Sequence, residues 1–430
     1  MRTIRSRAVV ALVAAVGATT LLGAVPGTAQ PGAVSPPAIT SDTAGCPHQI
    51  TPPPPVDLSE VPAPGIPAPR PVTVPDRPVG GPLMGVCGLV LPVGAPTPPA
   101  GISATSWLVA DADSGEVLAA RGPHARHRPA STIKLLTALL AVDQLPLNRV
   151  VVATQADADQ EGSRAGLGPG GRYTVRQLLT GLLLVSGNDA AHALAEQLGG
   201  VAETAEQMNE LAGRLGALDT RVATPSGLDG PGMSASAYDL ALALREVLDR
   251  PLLAELLATR QVDFPGFGDQ PGFELSNDNK LLRNYPGALG GKTGFTDDAR
   301  HTLVDAAQRG GRRLIVVLMR GEQRPVPMWQ QAARLLDYGF ALTPGRPIGR
   351  LINETAPPDT AGSPETAGTT PGAVPDAIPT PLPAGSRAAA QGWSSGSHQT
   401  TRVLPVALWT GLAIAVLTVL GALVARQRHR

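Results

Sequence analysis

Two parts of the chain contain short, mainly apolar segments of strand character, and these parts lie at the two ends of the region 101–348. In each part, two β-branched, apolar segments flank a short turn, Asp113-Ser114-Gly115 in one and Gly310-Gly311 in the other. The predicted strands are residues 106–110, 116–120, 302–307 and 314–319. The pattern therefore predicts one hairpin near each end of the region.

The residues between the two hairpins favour helices. One helix is predicted to begin near Ser131, just after Pro129, and to run through Leu140. The other predicted helices are 174–184, 190–198, 205–215, 237–248 and 328–338. This order of elements predicts an α/β fold, in which one antiparallel sheet is built from both ends of the region and a mainly helical part is inserted between them.

The N-terminus has the pattern of a secretory signal, residues 1–29. Arg2, Arg5 and Arg7 precede a long apolar run, and small residues at Gly27 and Ala29 suit signal peptidase. An uncleaved N-terminal anchor is the alternative. Either reading predicts export.

The C-terminus contains a second apolar stretch, residues 403–425, which is long enough to cross a bilayer about 30 Å thick in its hydrocarbon core. Arg426, Arg428 and Arg430 follow it, so the positive-inside rule places the tail 426–430 in the cytoplasm. The sequence thus predicts a single-pass protein of the cell membrane with its main domain outside.

Two further segments are rich in proline. Residues 30–100 contain both cysteines, Cys46 and Cys87, and an oxidising compartment favours a disulfide between them, with two free thiols as the alternative. Residues 349–402 are rich in Pro, Ala, Gly and Thr, and this composition predicts a disordered stalk before the membrane helix.

Charge composition is balanced overall but unusual in detail. Net charge is zero, which gives no reason to expect nucleic acid as a partner. Of the 35 Lys and Arg residues only three are lysines: Lys134, Lys280 and Lys292. Because lysine alone among these cations loses its proton when desolvated, each lysine is a candidate for chemistry.

The first candidate motif is Ser131-Thr132-Ile133-Lys134. Its hydroxyl and amine lie three residues apart, so they are neighbours on one helical face. A half-buried neutral Lys134 amine would accept the proton of Ser131 and activate it for acyl transfer. The alternative is an ordinary N-cap serine, and the motif alone does not decide between them.

Two more motifs follow along the chain. Ser186-Gly187-Asn188 lies between two predicted helices, where a capping turn is the alternative. Gly290-Gly291-Lys292-Thr293-Gly294 pairs a rare lysine with glycines that let a ligand approach the backbone, and its alternative is a Gly-rich turn before a strand. The order Ser-x-x-Lys, Ser-x-Asn, Lys-Thr-Gly is that of penicillin-recognising serine enzymes.

The resemblance extends to other stretches of residues 101–345, namely 225–229, 277–282, 285–287 and 336–340. Together with the motifs they resemble the D-alanyl-D-alanine carboxypeptidases of the low-molecular-weight penicillin-binding class, serine peptidase family S11. The Pro-rich, cysteine-bearing N-terminus and C-terminal anchor resemble the actinobacterial, membrane-anchored members. The resemblance implies a β-lactamase/transpeptidase-like fold with a five-stranded sheet.

It also implies roles for site residues. Ser131 would be the acylated nucleophile, Lys134 its general base and Ser186 a proton relay. Asn188 would hold the substrate amide, Lys292 would bind the terminal carboxylate, and the N–H groups of Ser131 and Phe295 would form the oxyanion hole. Thr293 and Gly294 are further substrate-binding residues. Lys280 gains no chemical role from the comparison.

The implied reaction is removal of the terminal D-alanine from peptidoglycan pentapeptide stems, with β-lactams as covalent inhibitors. No cofactor is implied, no metal-ligand cluster is evident in the sequence, and His124 and His127 lack an acidic partner at a fixed spacing.

Two alternative functions stay open. One is a serine β-lactamase, although Gly187 replaces the usual Asp of the second motif and no Glu-x-x-x-Asn element is evident. The other is a non-catalytic wall-binding or sensor module.

Overall fold

The computed structural model of the protein describes residues 46–352. The predicted signal 1–29, the membrane helix 403–425, the tail 426–430 and most of the predicted stalk lie outside this range. Within it, no helix has the length and apolar character needed to span a membrane.

The centre of the fold is an antiparallel sheet with the strand order β1-β3-β2-β10-β9-β8, and β11 also pairs with β3. Its strands are β1 Leu89–Val90, β2 Ser106–Asp111, β3 Glu116–Arg121, β8 Ala288–Thr296, β9 Arg300–Arg309, β10 Arg312–Gly321 and β11 Gly349–Arg350. Five of them are long, as expected, and two are two-residue strands on one side. Both predicted hairpins form, and β10 joins them by pairing with β2.

Helices occupy the chain between the hairpins and close it at the end. They are α1 Lys134–Gln144, α2 Gln155–Ala158, α3 Val175–Leu184, α4 Asn188–Gln197, α5 Val201–Arg214, α6 Ala237–Leu248, α7 Pro251–Ala258, α8 Lys280–Asn284 and α9 Met328–Ala341. Two small two-stranded sheets lie among them, β4 Val150–Val152 with β5 Arg172–Thr174, and β6 Gln261–Phe264 with β7 Phe273–Ser276. The inserted part is mainly helical, as predicted.

The continuous apolar sequence of β10 follows from burial on both faces of the sheet. Ile315, Val317 and Met319 join the larger core cluster with α1, α3 and α6, while Val316 and Leu318 face the cluster that includes α9. Because successive strand residues point to opposite faces, both sets must be apolar. The sheet therefore forms a layer between two cores.

The sheet extends past both ends of the region 101–348. At the start, Leu89 and Val90 pair with β3. At the end, Gly349 pairs with Val117 and Leu351 is buried, so residues 349–352 are ordered and do not belong to a disordered stalk. Backbone bonds and a buried Leu351 outweigh the local composition that predicted disorder.

The predicted disulfide between Cys46 and Cys87 is present, with the two Cα atoms 5.4 Å apart. It ties the beginning of the described chain to the residues just before β1. Most of the chain between the cysteines is exposed on the surface.

Candidate active site

Ser131 lies in a 3₁₀ turn, Ala130–Ile133, that leads directly into α1. Its side chain is partly exposed, whereas Lys134, one turn later, is completely buried. Ala130 has φ +48°, a conformation that non-glycine residues rarely adopt. The turn thus presents the Ser131 hydroxyl at the surface with an amine behind it.

The Lys134 amine has three polar neighbours. Its Nζ lies 2.8 Å from Ser131 Oγ and 2.7 Å from Asn188 Oδ1, and it also contacts the carbonyl oxygen of Ser226. Sequence reasoning predicted the first contact but missed the Ser226 carbonyl. Ser226 belongs to the stretch 225–229 that carried part of the resemblance, which was the signal available.

The electrostatics around Lys134 favour its neutral form. Burial and, secondarily, the positive charge of Lys292 hold the pKa of the Lys134 amine well below its usual range. Asp278 and Asp189 act in the opposite direction. A neutral amine next to a serine hydroxyl is the arrangement that a general base requires.

The second motif forms the junction between α3 and α4. Ser186 is in the left-handed region with φ +62°, and Asn188 is buried and donates from Nδ2 to the carbonyl of Glu161. A Cβ at Gly187 would lie 2.8 Å from the backbone nitrogen of Ala165, so there is no room for a side chain there. The Asp that β-lactamases carry at this position would not fit this loop.

Asp189 holds the loop that faces the second motif. Its carboxylate accepts hydrogen bonds from the backbone N–H groups of Ala165, Gly166 and Leu167 at 2.8, 2.8 and 3.0 Å. The preceding residues Gly162 and Ser163 line the cleft. Asp189 therefore fixes one wall of the site, a role that the sequence did not reveal.

The third motif lies on β8, which is the strand at the edge of the sheet. Thr293 and Gly294 line the cleft, and Phe295 is 48% exposed. Lys292 is buried, and its amine donates to the Thr293 carbonyl at 2.9 Å. Burial lowers the pKa of Lys292, and Asp278 opposes that effect. Lys292 thus lies buried beside Thr293, where its charge acts on Lys134 and is acted on by Asp278.

A cleft of about 550 Å³ joins the motifs, and Ser131, Ser186, Asn188, Thr293, Gly294 and Phe295 all line it. Asp278 and Lys280 line it as well, although sequence reasoning gave them no part in the site. Lysine scarcity was the signal for Lys280, since all three lysines lie in or directly behind this cleft. Along the edge of β8 an extended peptide can add as a further strand.

A second group of ionisable residues lies away from the cleft, where His124, Asp219 and Asp239 are close enough to hold a metal ion. His124 Nδ1 lies 2.7 Å from Asp219 Oδ2, and its Nε2 lies 3.0 Å from the Val79 carbonyl. Both ring nitrogens are directed at oxygen acceptors, an arrangement that suits an imidazolium donating from each nitrogen. His124 does have an acidic partner, which the sequence spacing had not shown.

The chain matches the family model of peptidase S11, D-alanyl-D-alanine carboxypeptidase, over residues 93–323. It is 49% identical over 266 residues to the D-alanyl-D-alanine carboxypeptidase DacB2 of Mycobacterium tuberculosis, which covers 61% of this chain and 90% of that protein. The relative DacF of Bacillus subtilis is 33% identical over 251 residues, and 64% of its length is covered.

Solved structures agree with the family match. A D-alanyl-D-alanine carboxypeptidase from Mycobacterium tuberculosis has a TM-score of 0.58 and 49% identity, covering 61% of this chain and 99% of that one. The Streptomyces K15 DD-transpeptidase has a TM-score of 0.55 and 30% identity, covering 57% and 100%.

Fold and site thus define a penicillin-binding type of serine peptidase. The chain belongs to the S11 family of D-alanyl-D-alanine carboxypeptidases and is a serine-type carboxypeptidase.

Proposed function

We propose that the enzyme removes the terminal D-alanine from peptidoglycan pentapeptide stems through an acyl-enzyme on Ser131. The observation that carries this assignment is the buried Lys134 amine, which lies 2.8 Å from Ser131 Oγ and whose pKa is held well below its usual range. Family membership supports the substrate class, a stem peptide that ends in D-alanyl-D-alanine, and covalent inhibition by β-lactams.

Acylation begins when Lys134 takes the proton of the Ser131 hydroxyl. Ser131 Oγ then attacks the carbonyl carbon of the peptide bond before the terminal D-alanine. The negative oxygen that forms is stabilised by the backbone N–H groups of Ser131 and Phe295. Collapse of this intermediate breaks the peptide bond, and the proton passes to the leaving amine with Ser186 as relay, so that free D-alanine departs.

Deacylation repeats these steps with water as the nucleophile. Lys134 takes a proton from water, the resulting hydroxyl attacks the ester, and Ser131 recovers its proton as the shortened stem leaves. During both steps Asn188 and the edge of β8 would hold the peptide backbone. During acylation Lys292 and Thr293 would bind the terminal carboxylate of the stem peptide.

The same proposal includes the position of the enzyme in the cell. The signal 1–29 and the helix 403–425 would export the chain and anchor it by a single span, with the catalytic region facing the cell wall. The stretch from 353 to 402 would serve as a stalk. Protease accessibility of intact cells would test this, since an external domain is cleaved without lysis.

A fluorescent penicillin and a synthetic pentapeptide test the chemistry of the full-length protein. We expect a stable adduct on Ser131, release of D-alanine from the pentapeptide, and loss of both in Ser131→Ala. Rapid hydrolysis of the penicillin would favour a β-lactamase instead. Absence of both labelling and D-alanine release would refute the enzymatic assignment.

A further inference from the structure

Residues 53–60, called here the outer strap, precede the family match that begins at residue 93, yet they contact chain segments on both sides of the proposed oxyanion hole. We propose that the outer strap positions the two N–H groups of that hole, those of Ser131 and Phe295, and that Glu60 is its main positioning residue. This inference rests on the proposed function, because the proposed function assigns those two donors.

On the nucleophile side the outer strap binds Arg128, three residues before Ser131. The Arg128 guanidinium donates to both oxygens of Glu60, at 2.7 Å to Oε2, and to the Pro53 carbonyl at 2.7 Å. The Arg128 side chain is only 2% exposed. A two-pronged Arg–carboxylate pair of this kind fixes orientation as well as distance.

Between Arg128 and Ser131 the backbone is in an unfavourable conformation. Ala130 has φ +48°, which persists in a non-glycine residue only where the surroundings hold it in place. One restraint is internal to the domain, since Thr302 Oγ1 donates to the Pro129 carbonyl at 2.9 Å. Arg128 with the outer strap supplies a second restraint, one residue before Pro129.

On the sheet side the outer strap binds Asp298, three residues after Phe295. The Asp298 carboxylate accepts from the backbone N–H of Val56 and from Ser59 Oγ at 3.4 Å. Asp298 is buried, and its Oδ2 lies 4.0 Å from Arg128 Nε. One short segment therefore links the turn that carries Ser131 to the turn that follows β8.

This link acts on the positions of the two N–H donors, on which the rate of acylation depends. Oxyanion donors work only when they lie about 2.7–3.1 Å from the developing negative oxygen. A displacement of roughly 1 Å at a reacting centre costs about 100-fold in rate. The backbones of the two halves are already in close contact, because a Cβ on Gly294 would lie 2.8 Å from the Ser131 nitrogen. A small shift of either half thus changes the spacing of the donors.

The test uses Glu60→Gln in the full-length protein, with time courses of fluorescent-penicillin labelling at several concentrations. These separate the dissociation constant of the first complex from the first-order acylation constant. We expect the acylation constant to fall about tenfold, less than the roughly 100-fold or more that loss of a whole oxyanion donor costs. The dissociation constant should change less than about twofold, because the ground-state complex depends little on the oxyanion donors.

Glu255→Gln is the matched control. It removes the same kind of charge from an exposed pair, in which Glu255 Oε1 lies 2.6 Å from Arg176 Nη2. Its acylation constant should equal that of the wild type. Release of D-alanine from the pentapeptide should fall in Glu60→Gln and stay unchanged in Glu255→Gln.

A folded Glu60→Gln protein with the wild-type acylation constant would overturn the proposal, even if its melting temperature fell, because the outer strap would then only stabilise the fold. If Glu60→Gln does not fold, Ser59→Ala takes its place, with an expected fall of about twofold and the same overturning result. Failure of the wild type to label at Ser131 would instead overturn the proposed function, and this inference with it.

Discussion

At the residue scale the chemistry depends on how many bonds the Lys134 amine can form. A neutral amine has two N–H donors and one lone pair. Asn188 Oδ1 and the Ser226 carbonyl are acceptors only, so they take the two N–H groups. The lone pair is then left for the third neighbour, the Ser131 hydroxyl at 2.8 Å. The contacts of Lys134 thus direct its basic site at the nucleophile.

Replacing Lys134 by arginine tests this assignment. Arginine keeps a positive charge and donors but does not deprotonate, so Lys134→Arg should lower the acylation constant by roughly 10²–10⁴-fold, the usual contribution of a general base. Labelling by a fluorescent penicillin measures it, with circular dichroism as the check on folding. Full acylation by folded Lys134→Arg would show that Lys134 is not the base.

The pH profile of acylation tests the electrostatics of the same amine. Because the neutral form is the base, acylation should be complete above the lowered pKa of Lys134 and fall as pH drops through it. Lys292 lowers that pKa and Asp278 raises it. Lys292→Met should therefore move the acidic limb to higher pH, and Asp278→Asn should move it to lower pH.

The quantity measured is the pH at the midpoint of the acidic limb. The maximal acylation rate is not used, because Lys292 and Asp278 also lie near the substrate and their replacement affects that rate directly. Glu255→Gln, a charge change at the exposed pair with Arg176, should leave the midpoint where it is. Shifts of both cleft variants in one direction would contradict the assignment of the limb to Lys134.

Much of the site could be predicted from residue identity. In a chain where arginine serves as the usual cation, the lysines mark positions that need an amine, and all three lie at or behind the cleft. The contacts of Asp189 and of the Ser226 carbonyl could not be predicted in this way. They depend on loops that come together only in the tertiary structure.

At the scale of elements, β8 shows where local sequence fails. Four of its nine residues, Ala288–Thr296, are small or flexible (Ala288, Gly290, Gly291 and Gly294), so the segment has the composition of a turn. Pairing with β9 makes it a strand, and a register shift between Ala288 and Gly290 accommodates the glycines. The hairpins and the approximate positions of the six longer helices were predictable because their patterns are local, although α1 begins three residues later than predicted and α5 four residues earlier. By contrast, β8 is defined by its neighbour.

Gly294 of β8 is needed because the nucleophile turn lies against this part of the strand. In Gly294→Ala the new Cβ would lie 2.5 Å from Thr302 Oγ1 and 2.8 Å from the Ser131 nitrogen, so the strand and the turn must separate. We expect acylation to fall by at least about 100-fold, the cost of roughly 1 Å at a reacting centre. The acylation constant and the unfolding curve are measured together.

Gly213→Ala is the matched control, since Gly213 is in α5 and its new Cβ would meet nothing within 4 Å. Alanine favours helix over glycine by up to about 1 kcal/mol, so this variant should be equally active and slightly more stable. Wild-type acylation by Gly294→Ala would mean that the close approach of β8 and the turn is unimportant.

At the scale of the whole molecule, the segment before the family match is part of the folded structure. Arg126 is fully buried and donates to Asp219 at 3.0 Å and to the carbonyls of Ile50, Val72 and Thr73 at 2.9, 2.6 and 3.3 Å. Composition indicated only a Pro-rich surface segment. Its binding to buried arginines was not predictable, because each contact joins residues more than 50 positions apart in the chain.

The disulfide and the buried arginines Arg126 and Arg128 hold the segment before the family match independently of each other. Removing the disulfide should therefore lower stability without changing acylation. Replacing both Cys46 and Cys87 by serine frees a loop with a sequence separation of 41 residues. The unfolded chain then gains entropy, and the free energy of unfolding should fall by roughly 4 kcal/mol. Acylation at temperatures below the transition should stay at the wild-type rate, because Arg126 and Arg128 still bind the segment in the folded state. Denaturant unfolding measures the free energy of unfolding, and fluorescent-penicillin labelling measures the acylation rate. A loss of acylation in the folded double variant, parallel to the loss of stability, would show that the arginines do not hold the segment without the disulfide.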